Sequence, residues 1–515
     1  MNALTGTAGL IRLILRRDRF LLPLWILWLG AIPAGFTSAT AELYPTAADQ
    51  GKYAATIGAN PTFLALYGPM YDPGLGGIVV QRASLIAVVI ALIAALTVIR
   101  HTRAEEEAGR RELLGATRMG RAAPLAAALA VTMTACVVVG ALAAAGMASQ
   151  DLPAAGSIAF GLQLALAGVV FAAVAGLAAQ LTIGAAAARG LSLAVLGAAF
   201  VVRMAADSAD GLTWLGWASP LGWVQRSRPY EAERWWTFAL GAALALALAW
   251  AAARMTARRD LGAGLLPDRL GPADASRGLR GPFSLAWRLH RRSLAGWLAG
   301  FAALGAVYGG FGGSVGDLIA DNPELGDVFA RLGGEAGLID AYFSSAMGIM
   351  GLIACGYAVS ATLRLRAEES SLHLEPVMAT PTGRLRWAAA HLTMAAAGSA
   401  AILAAGGLAA GLVHGLSAGG SGESVRVLGI ALAQIPAVWV LGSVGTILFG
   451  ALPLLMLVGA ALDLDPVLLD LSPFAHVPKL GAGFTAAPLT TLTAAAFVLT
   501  AVGLAAFRRR DLSFG

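Results

Sequence analysis

The chain has 515 residues, of which 58% are hydrophobic and only 13% charged, with a mean hydropathy of +0.72. So little polar surface cannot cover a soluble protein of this length, which excludes a water-soluble enzyme and leaves a membrane-embedded chain. The net charge of +6 comes with no basic module standing apart from the apolar runs, which excludes a nucleic-acid partner.

In chain order, a basic segment from Arg12 to Arg19 precedes an apolar run at 20–37. Further apolar runs lie near 79–99, 123–147, 156–182, 188–206, 235–253, 294–312, 343–363, 388–413, 426–445, 447–462 and 487–507. Each is about 20 residues, long enough to cross the hydrocarbon core as a helix. The pattern predicts an all-α polytopic membrane protein with about twelve transmembrane helices. The tenth and eleventh runs merge, so their boundary is not marked.

Arginines cluster at 12–19, 100–121, 254–292, 364–386 and 508–510, whereas Asp317, Asp321, Glu324, Asp327, Glu335 and Asp340 share one loop with Arg331 alone. The positive-inside rule then places both termini in the cytoplasm, with an even number of spans. Arg16-Arg17 and the apolar run after Phe20 imitate a cleavable twin-arginine signal. The same basic-then-apolar design recurs internally at Arg288–Phe301, so the first segment is expected to stay as a span.

The chain is duplicated. Arg103–Arg121 (RAEEEAGRRELLGATRMGR) aligns without a gap on Arg366–Arg384 (RAEESSLHLEPVMATPTGR), identical at the Arg-Ala-Glu-Glu opening and at five later positions. Asn60-Pro61 recurs as Asn322-Pro323, Asp210 and Ser219-Pro220 as Asp463 and Ser472-Pro473, and Arg258-Arg259-Asp260-Leu261 as Arg509-Arg510-Asp511-Leu512. The expected organisation is two tandem six-helix halves, 1–262 and 283–515, in parallel orientation and joined by a Gly-, Pro- and Arg-rich cytoplasmic linker at 263–282.

Candidate chemistry is sparse. Cys136 and Cys355 both fall within apolar runs, and the six histidines show no HExxH-like spacing, so no metal site is expected. The two lysines, Lys52 and Lys479, precede Tyr and Leu, so the chain lacks the glycine-lysine-hydroxyl run of a phosphate-binding loop and is not expected to hydrolyse ATP itself. Gln81, Gln163, Gln180 and Gln434 read as interhelical hydrogen-bonding residues. Arg82 and Arg203, near predicted outer ends, read as side chains reaching the headgroups. Trp214, Trp217, Trp223, Trp235 and Trp236 suit either an aromatic belt or a helix lying in the outer leaflet. No midspan carboxylate recurs as a proton-coupled carrier would require.

A charged run in one copy is ordinarily a solvated loop. Two copies at equivalent places suggest a symmetric partner docking from below. On a helix, Glu105 and Glu112 fall near one side, as do Glu368 and Glu375.

The Glu-Glu…Glu segment after the second run resembles the cytoplasmic loop of ABC-2-type ABC transporter permeases, and the Ser-Pro and Arg-Arg-Asp-Leu landmarks are similar to theirs. The fused layout, over essentially the whole chain, resembles actinobacterial exporters of polyketide antibiotics of the tetronasin type. The resemblance implies two ABC-2-type halves in a bacterial plasma membrane, rocking about a path lined mainly by their second and fifth spans. It implies coupling helices holding Glu105, Glu106, Glu112, Gly120 and Arg121, and Glu368, Glu369, Glu375, Gly383 and Arg384. Basic connecting helices would hold Arg16 and Arg17, and Arg291 and Arg292, along the inner surface. Ser219, Pro220, Ser472 and Pro473 would belong to re-entrant outer helices. The implied partners are two copies of a nucleotide-binding ATPase subunit, which carry ATP and Mg, so that this chain holds no cofactor. The implied cargo is a small hydrophobic or amphipathic molecule, drug- or antibiotic-like, with no binding residues assigned. The second copy departs at Leu372-His373-Leu374 and at Pro376, so the two docking sites need not be equivalent. The alternative is an ion-gradient-driven secondary multidrug carrier. A non-transporting sensor or assembly factor is a weaker rival.

Overall fold

The computed structural model describes residues 3–58, 61–115, 118–208, 211–260, 262–266, 274, 278–320, 334–370, 373–418, 422–444 and 487–509. Among them every regular element is a helix. The chain divides into two compact units, Met1–Gly271 and Pro272–Gly515.

The first unit opens with α1 (Thr7–Arg17) and α2 (Leu21–Leu43), followed by the short α3 (Ala47–Tyr53), a π-helical turn (Ala54–Gly58) and α4 (Pro61–Tyr67). Then come α5 (Leu75–Ala83), α6 (Leu85–His101), α7 (Arg103–Glu107), α8 (Arg110–Gly115), α9 (Ala123–Ala148), α10 (Ala154–Leu181) and α11 (Ala185–Ser208). A 3-10 turn (Thr213–Ala218), α12 (Pro220–Gln225) and α13 (Trp236–Arg258) complete it. The second unit holds α14 (Pro282–Ala320), α15 (Gly334–Ser370), α16 (Leu374–Met378), α17 (Arg384–Ala418), α18 (Gly422–Ala433), α19 (Ile435–Val444) and α20 (Ala487–Arg509).

Ten described helices are long and apolar enough to cross a membrane: α2, α5 with α6, α9, α10, α11, α13, α14, α15, α17, and α18 with α19. Each coincides with an expected run, and α20 carries a further apolar stretch, Ala487–Ala501. The run at 447–462 lies outside the described residues, as do Asn60, Asp210, Asn322-Pro323, Asp463 and Ser472-Pro473. These helices are apolar on all sides because their outward faces meet lipid rather than water. α10 is the exception in burial: 72% of its span is enclosed, against 22% for α13, so α10 is the axis of the first unit.

The abundant glycine has a specific use at the α9–α10 crossing. A Cβ on Gly140 would stand 2.2 Å from the Gly161 carbonyl oxygen, and one on Gly161 would stand 2.3 Å from that of Gly140. The backbones touch there, which only glycine permits. In the second unit α14 approaches the α17 backbone at Gly305, where a Cβ would stand 2.1 Å from the Gly406 carbonyl oxygen.

The two units begin differently, which corrects the expectation of two basic surface helices. In the first, α1 ends at Arg17 and α2 begins at Leu21, with Pro23 in the first turn of α2. Proline has no N–H to give and is tolerated in a first turn, so Pro23 suits the start of a new helix here. In the second unit no proline intervenes, and α14 continues unbroken for 39 residues with exposed Arg291 and Arg292 inside it.

Candidate functional site

The repeated segment of the first unit is folded around a buried carboxylate. Glu106 accepts hydrogen bonds from Arg259 Nη2 at 2.7 Å, Arg111 Nη1 at 3.1 Å and the Gly262 backbone N–H at 2.8 Å. Arg103 pairs with the same carboxylate at 2.9 Å. Arg259 is in turn oriented by Gln180 at 2.8 Å, so the glutamine read as interhelical serves the arginine that follows the sixth span. Burial lowers the pKa of Arg111 below the ordinary arginine value, with Glu106 acting in the opposite direction. Several guanidiniums can share so enclosed a place because one carboxylate and the carbonyl of Ala263 receive them.

The neighbouring acids face other ways. Glu105 pairs with Arg17 of α1 and is held in a fork by Arg110, at 2.6 and 2.9 Å. Glu107 accepts the Ala185 N–H at 3.0 Å, at the start of α11. Asp18, just after α1, meets His101 at 2.6 Å and Arg100 at 3.0 Å. The segment is therefore tied to α1, to the beginning of α11 and to the end of α13. The expectation of one helix with Glu105 and Glu112 on a common side is corrected: Gly109, at φ +70°, breaks it into α7 and α8. Glu112 is exposed on α8. Gly120 is buried, its N–H donating to Thr5 O at 2.9 Å, and Arg121 donates to the Arg259 carbonyl at 3.3 Å.

In the second unit, α15 passes without a break through Glu368 and Glu369 to Ser370. Glu368 pairs with Arg364 at 3.3 Å and lies 3.7 Å from His373, while Glu369 is half-buried. Leu374 stands where the first copy has Arg111. It is buried against Trp387 and Ala388, flanked by Leu365, Val377 and Met378. An apolar contact thus replaces a charged one. Glu375, Gly383 and Arg384 are exposed.

At the opposite end of the first unit, Ser219 is buried and donates to Ala199 O at 2.6 Å, and Pro220 starts α12. The tryptophans gather here, with Trp217 stacked on Trp236 and Trp223 donating to Trp217 O. Arg203 corrects its expected reach to the headgroups. It is 2% exposed, donates to Ala65 O and Leu66 O at 2.9 and 2.8 Å, and lies 3.6 Å from Asp207. The carbonyls it caps end α4, which leaves them without intrahelical partners. Arg82 donates to Thr40 on α2 at 3.1 Å. Tyr230, at φ +68°, is wedged against Gly76 and Gly156, and its hydroxyl lies 2.8 Å from Ser157 Oγ. No motif flagged Tyr230. Its only sequence signal is the pair of distant glycines it needs.

Among the described residues no group of His, Cys, Asp and Glu has the size of a metal site. Cys136 and Cys355 are buried free thiols.

Comparison with known proteins gives the family. The chain matches the family described as "Multidrug efflux system permease Rv1217c, C-terminal domain" over residues 9–255 and 279–508, one segment in each compact unit. It is similar to the multidrug efflux system permease protein Rv1217c of Mycobacterium tuberculosis (strain ATCC 25618 / H37Rv), 43% identical over 528 aligned residues that cover 99% of this chain and 96% of that protein. With its bundle of membrane-length helices, the chain belongs to the Rv1217c-type multidrug efflux permease family, a multi-pass membrane permease in two repeated units.

Proposed function

We propose that this chain is the permease of an ATP-driven ABC exporter of the ABC-2 type. It works with two copies of a separate ATPase subunit that bind ATP and Mg. Its cargo is a hydrophobic or amphipathic small molecule, drug- or antibiotic-like, moved out across the cell membrane. Both termini lie in the cytoplasm.

One observation carries the reading: the repeated segment is ion-paired at once to α1, through Arg17 to Glu105, and to the end of α13, through Arg259 to Glu106. A partner pressing on the exposed Glu112 face moves the second span directly, and through these pairs the basic helix and the sixth span with it. In the second unit Glu368 and Glu369 extend the span itself, so α15 acts as a lever with exposed Glu375 near its tip. Nucleotide closing the ATPase pair then biases the two states of each bundle. The name of the Mycobacterium tuberculosis relative supports the drug cargo.

The test is purification from native membranes beside the variant Glu112→Lys/Glu375→Lys, with efflux of a fluorescent drug followed in everted vesicles. An ATPase subunit that copurifies with the native chain, is lost from the variant, and is required for efflux is the expected result. Efflux that persists without ATP and collapses with the proton gradient overturns the proposal in favour of a secondary carrier.

A further inference from the structure

We propose that the first unit binds the headgroup of an anionic phospholipid from the basic membrane face, in a cavity between α1, the start of α9 and the residues after α13. The cavity has a volume of about 380 Å³. Leu10, Leu13 and Ile14 of α1, with Pro124, give it an apolar wall. Arg17, Arg111, Arg121 and Arg259 give it four guanidiniums, against the carboxylates of Glu105 and Asp260.

Arg111 and Arg259 are held by Glu106, which leaves Arg121 as the cavity's guanidinium for a ligand. Glu105 is engaged by Arg17 and Arg110, and the Asp260 side chain is 96% exposed and so screened by water. Among the described residues Arg121 reaches only the Arg259 carbonyl and, at 3.8 Å, Asp260. A guanidinium has five N–H donors, so Arg121 keeps donors for an incoming phosphate. The volume suits a headgroup and not acyl chains. Leu13 is 50% exposed, so the apolar wall continues outside the cavity along α1. An amphipathic basic helix beside a span, with arginines at the bilayer surface, is the arrangement that gathers anionic lipid. A free phosphate shares the headgroup chemistry but has no use for the apolar wall, which is why the lipid is favoured. The inference holds whatever energy source drives export.

The test is native mass spectrometry of the purified full chain in neutral detergent. The probes are dioleoyl phosphatidylglycerol, dioleoyl phosphatidylcholine and glycerol phosphate, and Arg121→Gln and Leu13→Ser are compared with the native chain. Both substituted side chains are at least half exposed, and an unchanged thermal midpoint verifies each fold. The expected result is saturable retention of one phosphatidylglycerol and not of phosphatidylcholine, weakened roughly fivefold by Arg121→Gln, the contribution of one basic residue at an anionic surface. Leu13→Ser is expected to weaken it as well, and excess glycerol phosphate to leave it in place. Equal retention of both lipids, or retention unaffected by both substitutions, overturns the proposal. Displacement by glycerol phosphate assigns the cavity to a soluble phosphate instead. A protein lost with these substitutions while lipid retention stays constant assigns the face to protein docking.

Discussion

Replacing Glu106 with alanine removes the carboxylate on which Arg103, Arg111 and Arg259 converge at 2.9, 3.1 and 2.7 Å. Their side chains are 1%, 12% and 4% exposed, so water cannot take over the lost role. Removing one partner of a buried ion pair costs about 3–5 kcal/mol, because the remaining charge is left uncompensated in low dielectric. We expect a loss in that range for Glu106→Ala, and a smaller one for Glu106→Gln, which keeps the hydrogen-bonding shape without the charge. Glu369→Ala is the internal control: with Leu374 in place of an arginine, it should cost less by about 2 kcal/mol or more. The assay is equilibrium unfolding of the purified chain in mixed micelles, followed by fluorescence of its 12 tryptophans. A double-mutant cycle with Arg259→Ala should return a coupling of about 1–3 kcal/mol. If Glu106→Ala stays within about 0.5 kcal/mol of the native chain, or Glu369→Ala costs as much, the buried-clamp reasoning fails.

Gly161→Val should destabilise by about 1–3 kcal/mol, because the Gly140 backbone cannot yield to a side chain, whereas Gly35→Val, with open space around it, should not; thermal midpoints in detergent compare the two. Arg203→Met strands the carbonyls of Ala65 and Leu66 and weakens the pairing of Asp207, for about 3–5 kcal/mol, and Arg203→Lys should fail to restore it for want of a fork; the same unfolding assay decides. Asp18→Asn releases His101 and Arg100 from the end of α1. Hydrogen bonds to charged groups contribute about 1.5–3 kcal/mol, so maleimide labelling of Ile14→Cys should speed up roughly tenfold in that background. Both native thiols are buried and give little background.

The apolar runs made the spans legible, since twenty lipid-facing residues leave a compositional trace that no tertiary partner can erase. The repeat marked Glu105 and Glu106 as a device, but their opposite orientations were hidden. Glu106 finds Arg259 at a separation of 153 residues, and no local spacing encodes which of two adjacent acids turns inward. Gly109 was the readable cue to the break between α7 and α8, because a single glycine in a charged helix favours a left-handed turn. Pro23 was likewise readable as a residue that suits the first turn of a new helix. Arg203 misled because position along a span does not say whether a side chain meets headgroups or the open carbonyls of a neighbouring short helix.

The exchange of Arg111 for Leu374 makes the two copies depend on temperature through different physical terms. Desolvating charges becomes less costly as temperature rises, so the contact around Glu106 gains on warming. The apolar contact of Leu374 with Trp387 loses strength on cooling. Both copies therefore loosen on cooling, the first because its charges become costlier to desolvate and the second because its apolar burial is worth less.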